Sequence, residues 1–401
     1  MLSNDSLQFS RNRSLWGLPC AFWGLWMAQF INRIASFAQP FLVLYLTRDH
    51  GVSIGAASVV TGGVGVGSIF AAIVGGWAAD RWGRRNTMLA GQTITACALV
   101  WLALGSGFSQ MFISAIMVGF GSDMVRPAMS AAVSDMITPD LHVRAYGLLF
   151  WSLNLGFSFA TISGGLLARF GFSQLFLINA AASVLSAFFI LKSTNERRLS
   201  NPNKTFSFIS HLIRDRGTVR LVWVGIIYAI VYFQAYSTLP IVMTSQNISP
   251  TVYGLIISLN GIVICLVQPA AVRFIEKRDP YNVYEFGMIV FGTGFAITMF
   301  ASDPLLHGLA VTLWTLGEVA VAGVVGAIFA ARSPENLRGR YQSLVSFCLA
   351  VGAAIGPPLG GYILSWKGST FVWIFCGFSG LLGAVLLHGL RASDSSHRRN
   401  L

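Results

Sequence analysis

Charged residues are scarce in this chain. Asp, Glu, Lys and Arg make up 10% of its 401 residues, whereas a typical soluble domain has about 25%. Hydrophobic residues account for 54% of the chain. A soluble protein of this length needs far more polar surface than such a composition offers. The shortage of charge therefore excludes soluble enzymes and soluble binding proteins.

Paired cysteines are also lacking. The five cysteines lie inside apolar stretches and form no Cys-x-x-Cys pair, which argues against both a disulfide framework and a zinc site. No nucleotide-binding loop or nucleophile–base pair stands out either. We therefore expect no cofactor, no metal and no enzymatic activity. The first apolar run is too long for the core of a cleavable signal peptide, so we expect none to be removed.

Long apolar runs dominate the chain instead. A hydrocarbon core of about 30 Å needs about 20 apolar residues per helix, and runs without polar alternation indicate helices rather than barrel strands. The sequence therefore predicts an all-α polytopic membrane protein. Its twelve predicted spans, numbered in chain order, are 16–46, 54–79, 87–107, 110–133, 145–168, 172–191, 221–243, 251–272, 284–301, 305–330, 341–364 and 370–390.

The basic residues predict how the chain is oriented. If both termini are cytoplasmic, most of the 27 Lys and Arg residues fall in cytoplasmic segments, and only Arg48, Arg169 and Lys367 fall in outer ones. This asymmetry follows the positive-inside rule. We therefore expect a multi-pass protein of the cell membrane, specifically a bacterial inner membrane. The net charge of +12 then reflects orientation rather than a nucleic-acid partner.

An internal repeat divides the spans six and six. With a shift of 196 residues, Arg144 aligns with Arg340, and Gly165 aligns with Gly361. The same shift aligns two acidic–basic pairs that follow the second span of each half. These matches predict two homologous halves. Their predicted bounds are 1–191 for an N-terminal six-helix bundle, 192–220 for a cytoplasmic linker and 221–401 for a C-terminal six-helix bundle.

The loop between spans 2 and 3 carries a distinctive set of residues. A glycine at its start would allow close helix approach, and a later glycine would permit a tight turn. The acidic residue between them can pair with the neighbouring arginines or with a helix end. An ordinary positively charged cytoplasmic loop is the alternative interpretation. The residues concerned are Gly76, Asp80, Arg81, Gly83 and Arg84.

This loop resembles the Gly-x-x-x-Asp-Arg-x-Gly-Arg-Arg signature of the major facilitator superfamily. The resemblance covers the whole chain, and it implies two pseudo-symmetric six-helix bundles that rock around a central substrate site. It also implies that the loop residues form a cytoplasmic gate, and we expect Asp135 and Arg144 to belong to the same gate. Asp135 resembles an acidic position of some multidrug exporters in the family. Alternatively, Asp135 caps its helix or pairs with Arg144.

Spans 5 and 11 contain small residues in similar patterns. Span 5 resembles the Gly-Pro-x-x-Gly-Gly motif of the family's drug:proton antiporters, but Ala160 and Thr161 replace its Gly-Pro. The departure leaves antiport and symport both open. Small residues also allow helices to pack closely, and proline bends a helix. Helix packing is the role predicted for Gly352, Gly356, Pro357, Gly360 and Gly361.

Four charged residues lie near the middle of predicted spans, where charge is costly and usually functional. They are Arg33, Asp123, Arg126 and Glu318. Asp123 lies three residues before Arg126, so the two share a helix face, and Arg126 or Arg33 could hold Asp123 charged. No other span of the C-terminal half contains an arginine to hold Glu318. These residues are the predicted proton-coupling groups, with static ion pairs as the alternative.

The resemblance also implies that spans 1, 4, 7 and 10 line the substrate cavity. Span 7 carries tyrosines at every fourth position, and such an aromatic stripe suits amphipathic or cationic organic solutes. A stripe packed against neighbouring helices is the alternative. The predicted cavity residues are Gln29, Asn32 and Gln39 of span 1 and Tyr228, Tyr232 and Tyr236 of span 7.

The leading functional prediction is a proton-coupled secondary active transporter that exports amphipathic organic compounds or drugs by alternating access. An alternative is a proton-coupled symporter that imports a small polar or anionic nutrient, with Arg33 or Arg126 binding its carboxylate or phosphate. A non-transporting membrane receptor is a further alternative. The expected partners are a small-molecule substrate, protons and the lipid bilayer, and we expect a monomer.

Overall fold

The structure is a computed structural model that describes residues 15–138, 141–194, 212, 215–334 and 337–399. Most of the predicted linker lies outside these residues. All regular elements within them are helices, without a β-strand. The principal helices are α1 (Cys20–Ile34), α2 (Ala38–Leu44), α3 (Ile54–Arg81), α4 (Arg84–Leu104), α5 (Phe108–Met136), α6 (His142–Leu167), α7 (Phe172–Ser193), α8 (Arg216–Tyr232), α9 (Gln234–Ser245), α10 (Pro250–Ile275), α11 (Pro280–Ile297), α12 (Pro304–Arg332), α13 (Arg338–Lys367) and α14 (Ser369–Arg399).

Within the described residues, eleven helical segments are long and apolar enough to cross a membrane, with α8 and α9 counted together as Arg216–Ser245. The predicted all-α polytopic fold class is thereby confirmed. The structure differs from the prediction at span 1, which is broken into the two shorter helices α1 and α2. The reason is Pro40, because a continuous helix would bring its ring against the carbonyl of Ser36.

Contacts between residues divide the chain into two compact units. Unit 1 consists of Met1–Ala38, Gly67–Ala160 and Ser173–Pro202, and unit 2 consists of Gln39–Val66, Thr161–Phe172 and Asn203–Leu401. The buried core of unit 1 includes Phe22, Met88 and Leu149. The buried core of unit 2 includes Tyr284, Val324, Tyr341 and Leu387. The predicted division into two homologous halves and a linker stays a prediction.

Glycines bring α13 close to its neighbours inside unit 2. A Cβ atom at Gly352 would clash with Ala229 of α8, and one at Gly356 would lie 2.9 Å from the carbonyl oxygen of Ile230. Further along α13, Gly360 and Gly361 leave similarly little room for a side chain. The buried Pro357 lies inside α13, which continues past it. These residues occupy positions of close helix packing.

Candidate functional site

Glu318 lies in the middle of α12 and is half-buried. The amide nitrogen Nδ2 of Asn260, on α10, donates a hydrogen bond to Oε2 of Glu318 over 2.6 Å. The same nitrogen donates to Oγ1 of Thr315, one turn earlier on α12, over 3.1 Å. No cationic side chain of the described residues forms an ion pair with Glu318. Its carboxyl group is thus held by a neutral amide.

Glycines on α11 and α12 explain why the two helices lie so close at this depth. A Cβ atom at Gly317 would clash with the backbone of Phe291, and one at Gly294 would clash with Trp314. Because glycine has no Cβ atom, the backbones of α11 and α12 can approach each other at these positions. Glu318 consequently follows a residue at which the backbones of α11 and α12 are in close contact.

The predicted tyrosine stripe is a continuous row of rings beside this site. The rings of Tyr228 and Tyr232 stack with centroids 6.0 Å apart, and those of Tyr232 and Tyr236 meet edge-on at 5.3 Å. The hydroxyl of Tyr236 donates to that of Tyr232 over 2.9 Å. Tyr228 lies close enough to Glu318 for an electrostatic interaction. Tyr228 and Tyr232 are half-buried, whereas Tyr236 is buried.

The second predicted acidic group, Asp123, has a different environment in unit 1. Its Oδ1 lies 2.9 Å from Nε of Arg126 on the same helix, α5. The exposed fraction is 64% for the Arg126 side chain and 28% for that of Asp123. Arg33, the other predicted partner, contacts α6, where its Nε donates to the carbonyl oxygen of Leu153 and its guanidinium lies 4.9 Å from the Phe157 ring centroid. Asp123 therefore pairs with Arg126 on its own helix rather than with Arg33.

The predicted polar residues of span 1 are separated by the break between α1 and α2. Gln29 donates from Nε2 to Ser152 Oγ over 2.9 Å and to the Leu149 carbonyl over 3.0 Å. Asn32 donates from Nδ2 to Gln92 Oε1 over 3.0 Å. The amides of both residues thus link α1 to other helices of unit 1. Gln39 lies beyond the break, in α2, and belongs to unit 2.

The loop between α3 and α4 corrects one sequence expectation. Gly83 adopts a φ of 90°, which glycine tolerates best, and α4 begins directly after it. Gly76, however, faces open space, so the predicted close helix approach there is wrong. Close approach occurs one residue earlier, where a Cβ atom at Gly75 would lie 3.3 Å from Met124 Cα.

Charged residues around this loop form a cluster centred on Arg84. Arg84 forms an ion pair with Asp135, at the end of α5, and donates to the Ala131 carbonyl. Asp80 lies close enough to Arg84 for an electrostatic interaction. The alternative in which Asp135 pairs with Arg144 is wrong, because Asp135 pairs with Arg84 and Arg144 donates to the carbonyl oxygen of Trp16.

The guanidinium of Arg81, in the same loop, lies 5.5 Å from the centroid of the Trp77 ring. Both residues belong to the last turns of α3, and they are four apart, so their side chains meet on one helix face. The positive charge of Arg81 therefore lies against the Trp77 ring in a cation–π contact.

The structure adds a second charged cluster that the sequence analysis missed. Asp215 precedes α8 and accepts hydrogen bonds from the backbone of Gly217 and Thr218, and its Oδ1 also accepts from Nη2 of Arg332 at 3.0 Å. Arg332 also donates to the hydroxyl of Tyr281. Burial of Asp215 opposes its ionisation, but the hydrogen bonds from Thr218 and Arg332 outweigh it, so its pKa lies below the usual value.

Asn260 was also missed as a site residue, although it is one of few polar residues in span 8. Its contact with Glu318 depends on the rotation of α10 and α12 about their own axes, which the local sequence does not determine.

Among the described residues, no cluster of three or more His, Cys, Asp or Glu side chains could hold a metal ion.

Comparisons with known proteins agree on a family. The family described as Major Facilitator Superfamily matches residues 25–246 and 221–400. An uncharacterized MFS-type transporter, YttB of Bacillus subtilis, is 27% identical over 366 residues, which cover 88% of this chain and 90% of that protein. Multidrug resistance protein 2 of Bacillus subtilis is 27% identical over 322 residues, which cover 77% of this chain and 79% of that protein.

A solved structure shows the same fold. The crystal structure of a POT family transporter in complex with a thioalcohol-conjugated peptide superposes with a TM-score of 0.83 at 15% identity. The match covers 97% of this chain and 99% of that one. At this level of identity the similarity concerns the fold alone.

Proposed function

The chain belongs to the major facilitator superfamily, and from that premise we propose that it is a proton-coupled secondary active transporter that exports amphipathic organic compounds by alternating access. It is a multi-pass membrane transporter of small molecules. The coupling ion, the direction of transport and the class of substrate are the proposed parts. We also propose that it acts as a monomer in a bacterial cell membrane, with both termini in the cytoplasm.

The environment of Glu318 carries the proposal. A carboxyl group in a poorly solvated site is hard to ionise, whereas a nearby arginine would keep it ionised. Glu318 has a neutral amide rather than an arginine as its partner, so a modest change in solvation can switch it between the two protonation states. Exchange of one proton per transport cycle requires such a group.

The tyrosines beside Glu318 support the proposed substrate class. An ammonium or other organic cation is attracted both by a carboxylate and by the faces of aromatic rings. Tyr228 and Tyr232 are half-buried, so part of each residue remains accessible, although the Tyr228 ring also packs against Phe291 at 4.6 Å. A substrate with an apolar body and a positive charge would match this combination. The similarity to Multidrug resistance protein 2 agrees with such a substrate.

The remaining charged residues receive structural or gating roles in this proposal. The pair of Asp123 and Arg126 provides fixed charge, and Arg33 holds α1 against α6. The ion pair between Arg84 and Asp135 forms part of the cytoplasmic gate, together with Asp80. An ion pair between helix ends that forms and breaks is a two-state element of the kind that alternating access needs.

Transport by the purified protein in proteoliposomes tests the proposal. An imposed pH gradient should drive a panel of cationic dyes in the direction opposite to proton movement. Glu318→Gln should abolish the effect of the gradient. Glu285→Gln is a matched control, because Glu285 is a half-buried glutamate of α11 that lies beside His388 instead. Gradient-driven transport that is unchanged in Glu318→Gln would contradict the mechanism.

The exposed guanidinium of Arg126 favours a second candidate function. Although it pairs with Asp123, 64% of its side chain remains exposed, so it could also bind the carboxylate or phosphate of a nutrient. The protein would then be a proton-coupled symporter for import. Accumulation of an organic anion in the same direction as proton movement, lost in Arg126→Gln, would favour this candidate over export.

A further inference from the structure

We propose that Asn260 is the positioning residue of the proton site, which orients the Glu318 carboxylate and sets the pH at which it releases its proton. This inference rests on the proposed function, in which Glu318 is the proton-exchanging group. It assigns a role to a residue of α10, a helix outside those expected to line the cavity.

The orientation of the Asn260 side chain follows from Thr315. The hydroxyl of Thr315 donates to the carbonyl oxygen of Val311 over 2.7 Å, so its hydrogen is already committed. Its oxygen can then only accept at the side that faces Asn260. The amide must consequently present its NH2 group to Thr315, and the second hydrogen of that group points to Glu318.

This orientation distinguishes the two protonation states of Glu318. A carboxylate accepts the hydrogen bond from Asn260, which stabilises the ionised form. A protonated carboxyl group can still accept from Asn260 through its carbonyl oxygen, but this bond is weaker because the acceptor is neutral. Its own hydrogen also needs an acceptor, which the amide offers only after a flip. The flip would break the bond to Thr315. Asn260 and Thr315 together therefore favour proton release whenever α10 and α12 are in this arrangement.

Burial strengthens the effect. Asn260 is 2% exposed and Thr315 is fully buried, so water is poorly placed to replace either hydrogen bond. A polar group left without a partner in such a place is costly. A shift of α10 relative to α12 during transport would separate the amide from the carboxylate and favour proton uptake. The contact thus links helix movement to protonation.

Of the groups near Glu318, Asn260 is the one that can orient its carboxylate. From α8, the titratable phenol of Tyr228 faces the carboxyl group, and Tyr228 in turn interacts with Tyr232 and Tyr284. From α11, the atoms that pack against α12 at Gly317 belong to Gly287 and Phe291, which are uncharged. Asn260 is the side chain that donates to the carboxylate among the described residues.

An infrared titration of the purified protein tests the inference. The carboxyl C=O band is followed with pH in the wild type, and the Glu318→Gln spectrum is subtracted to isolate Glu318. Loss of the donor in Asn260→Leu should move the midpoint to higher pH by about one to two units, since a hydrogen bond to a charged group contributes about 1.5–3 kcal/mol and one unit corresponds to about 1.4 kcal/mol.

Variants at Thr315 provide the second measurement and its control. Thr315→Val has nearly the same shape but cannot accept from Asn260, so the midpoint should move in the same direction by a smaller amount. Thr315→Ser keeps the hydroxyl and should titrate like the wild type. An unchanged midpoint in both Asn260→Leu and Thr315→Val would overturn the inference.

The failure of the inference and the failure of the proposed function can be told apart. The titration needs no substrate, whereas proton-linked transport is measured separately in proteoliposomes. Shifted midpoints without any proton-linked transport would support the role of Asn260 and contradict the proposed function. Proton-linked transport that is abolished by Glu318→Gln, together with unshifted midpoints, would support the function and overturn the inference.

Discussion

Asp123 and Glu318 occupy nearly equivalent places in the two predicted halves but have different partners. A shift of 196 residues places Asp123 next to Glu318. Asp123 is paired with Arg126 at 2.9 Å, whereas Glu318 accepts from the amide of Asn260 at 2.6 Å. An arginine is always charged and keeps a neighbouring carboxylate ionised, but an amide imposes no charge. In the proposed mechanism, these two acids therefore differ in role, with Asp123 as part of a static ion pair and Glu318 as the proton-exchanging group.

The C-terminal ends of the same two helices, α5 and α12, show a related contrast. In unit 1, Arg84 at the start of α4 pairs with Asp135 at the end of α5. The shift of 196 residues places Asp135 beside Arg332, at the end of α12, and Arg332 pairs with Asp215. The sign of the charge at the helix end is therefore reversed. In unit 2 the acid also caps α8, so that ion pair supports a helix start as well.

The largest expected effect comes from giving Glu318 the environment of Asp123. Ala322 is exposed and lies one turn after Glu318 on α12, so Ala322→Arg would place a cation on the same helix face. An opposite charge within about 4–6 Å favours the ionised form by about 1–3 pKa units. We expect gradient-driven transport in proteoliposomes to fall about tenfold or more.

The neutral variant Ala322→Gln controls for the added bulk at this position. It should retain most of the gradient-driven transport. If Ala322→Arg and Ala322→Gln behave alike, the contrast between an arginine partner and an amide partner has no functional meaning.

The two charged clusters at these helix ends should differ in their contribution to stability. Asp215→Ala removes an N-cap as well as an ion pair, and we expect a loss of about 1 kcal/mol. Asp135→Ala removes a partly exposed ion pair, for which less than about 1 kcal/mol is expected. Thermal unfolding of the two variants in detergent measures this difference. An equal or larger effect of Asp135→Ala would contradict the additional capping role of Asp215.

The pKa of Asp215 predicts how this difference depends on pH. Because that pKa is lowered in the folded protein, the carboxylate contributes its full stabilisation above the ordinary aspartate pKa. The contribution declines as the pH falls through the folded-state value. The destabilisation caused by Asp215→Ala should therefore shrink on strong acidification. A difference between wild type and variant that stays constant down to unfolding would contradict the assignment.

The smallest effect should come from removing the arginine of the fixed pair. The Arg126 side chain is mostly exposed, and in the proposed mechanism it does not bind the transported proton. Arg126→Gln should therefore reduce export by less than about fivefold. It should also leave the number of protons moved per dye molecule unchanged. A fall in export as large as that of Ala322→Arg would contradict the structural role given to Arg126.

Periodicity and composition predicted much of this structure because they report local properties. Apolar run length located the spans, and the three-residue spacing of Asp123 and Arg126 predicted their ion pair. The four-residue spacing of Tyr228, Tyr232 and Tyr236 predicted neighbouring rings. Each of these contacts lies within one helical segment, where spacing determines which side chains meet.

Contacts between helices could not be predicted in the same way. The pairing of Asp215 with Arg332 joins residues far apart in the chain, and the bond from Asn260 to Glu318 depends on the rotation of two helices. Gly75 and Gly76 are neighbours in α3, but they point in different directions from the helix, so Gly75 packs closely and Gly76 does not. The break in span 1 was missed because hydropathy alone was used to define the span, although Pro40 is a visible signal for it.

The central claim is that Glu318, and not Asp123, binds and releases the transported proton. The most direct test is the number of protons moved per dye molecule in proteoliposomes of the wild type, Asp123→Asn and Glu318→Gln. We predict the same ratio for the wild type and Asp123→Asn, and no proton movement linked to dye in Glu318→Gln. An unchanged ratio in Glu318→Gln, or its loss in Asp123→Asn alone, would contradict the account.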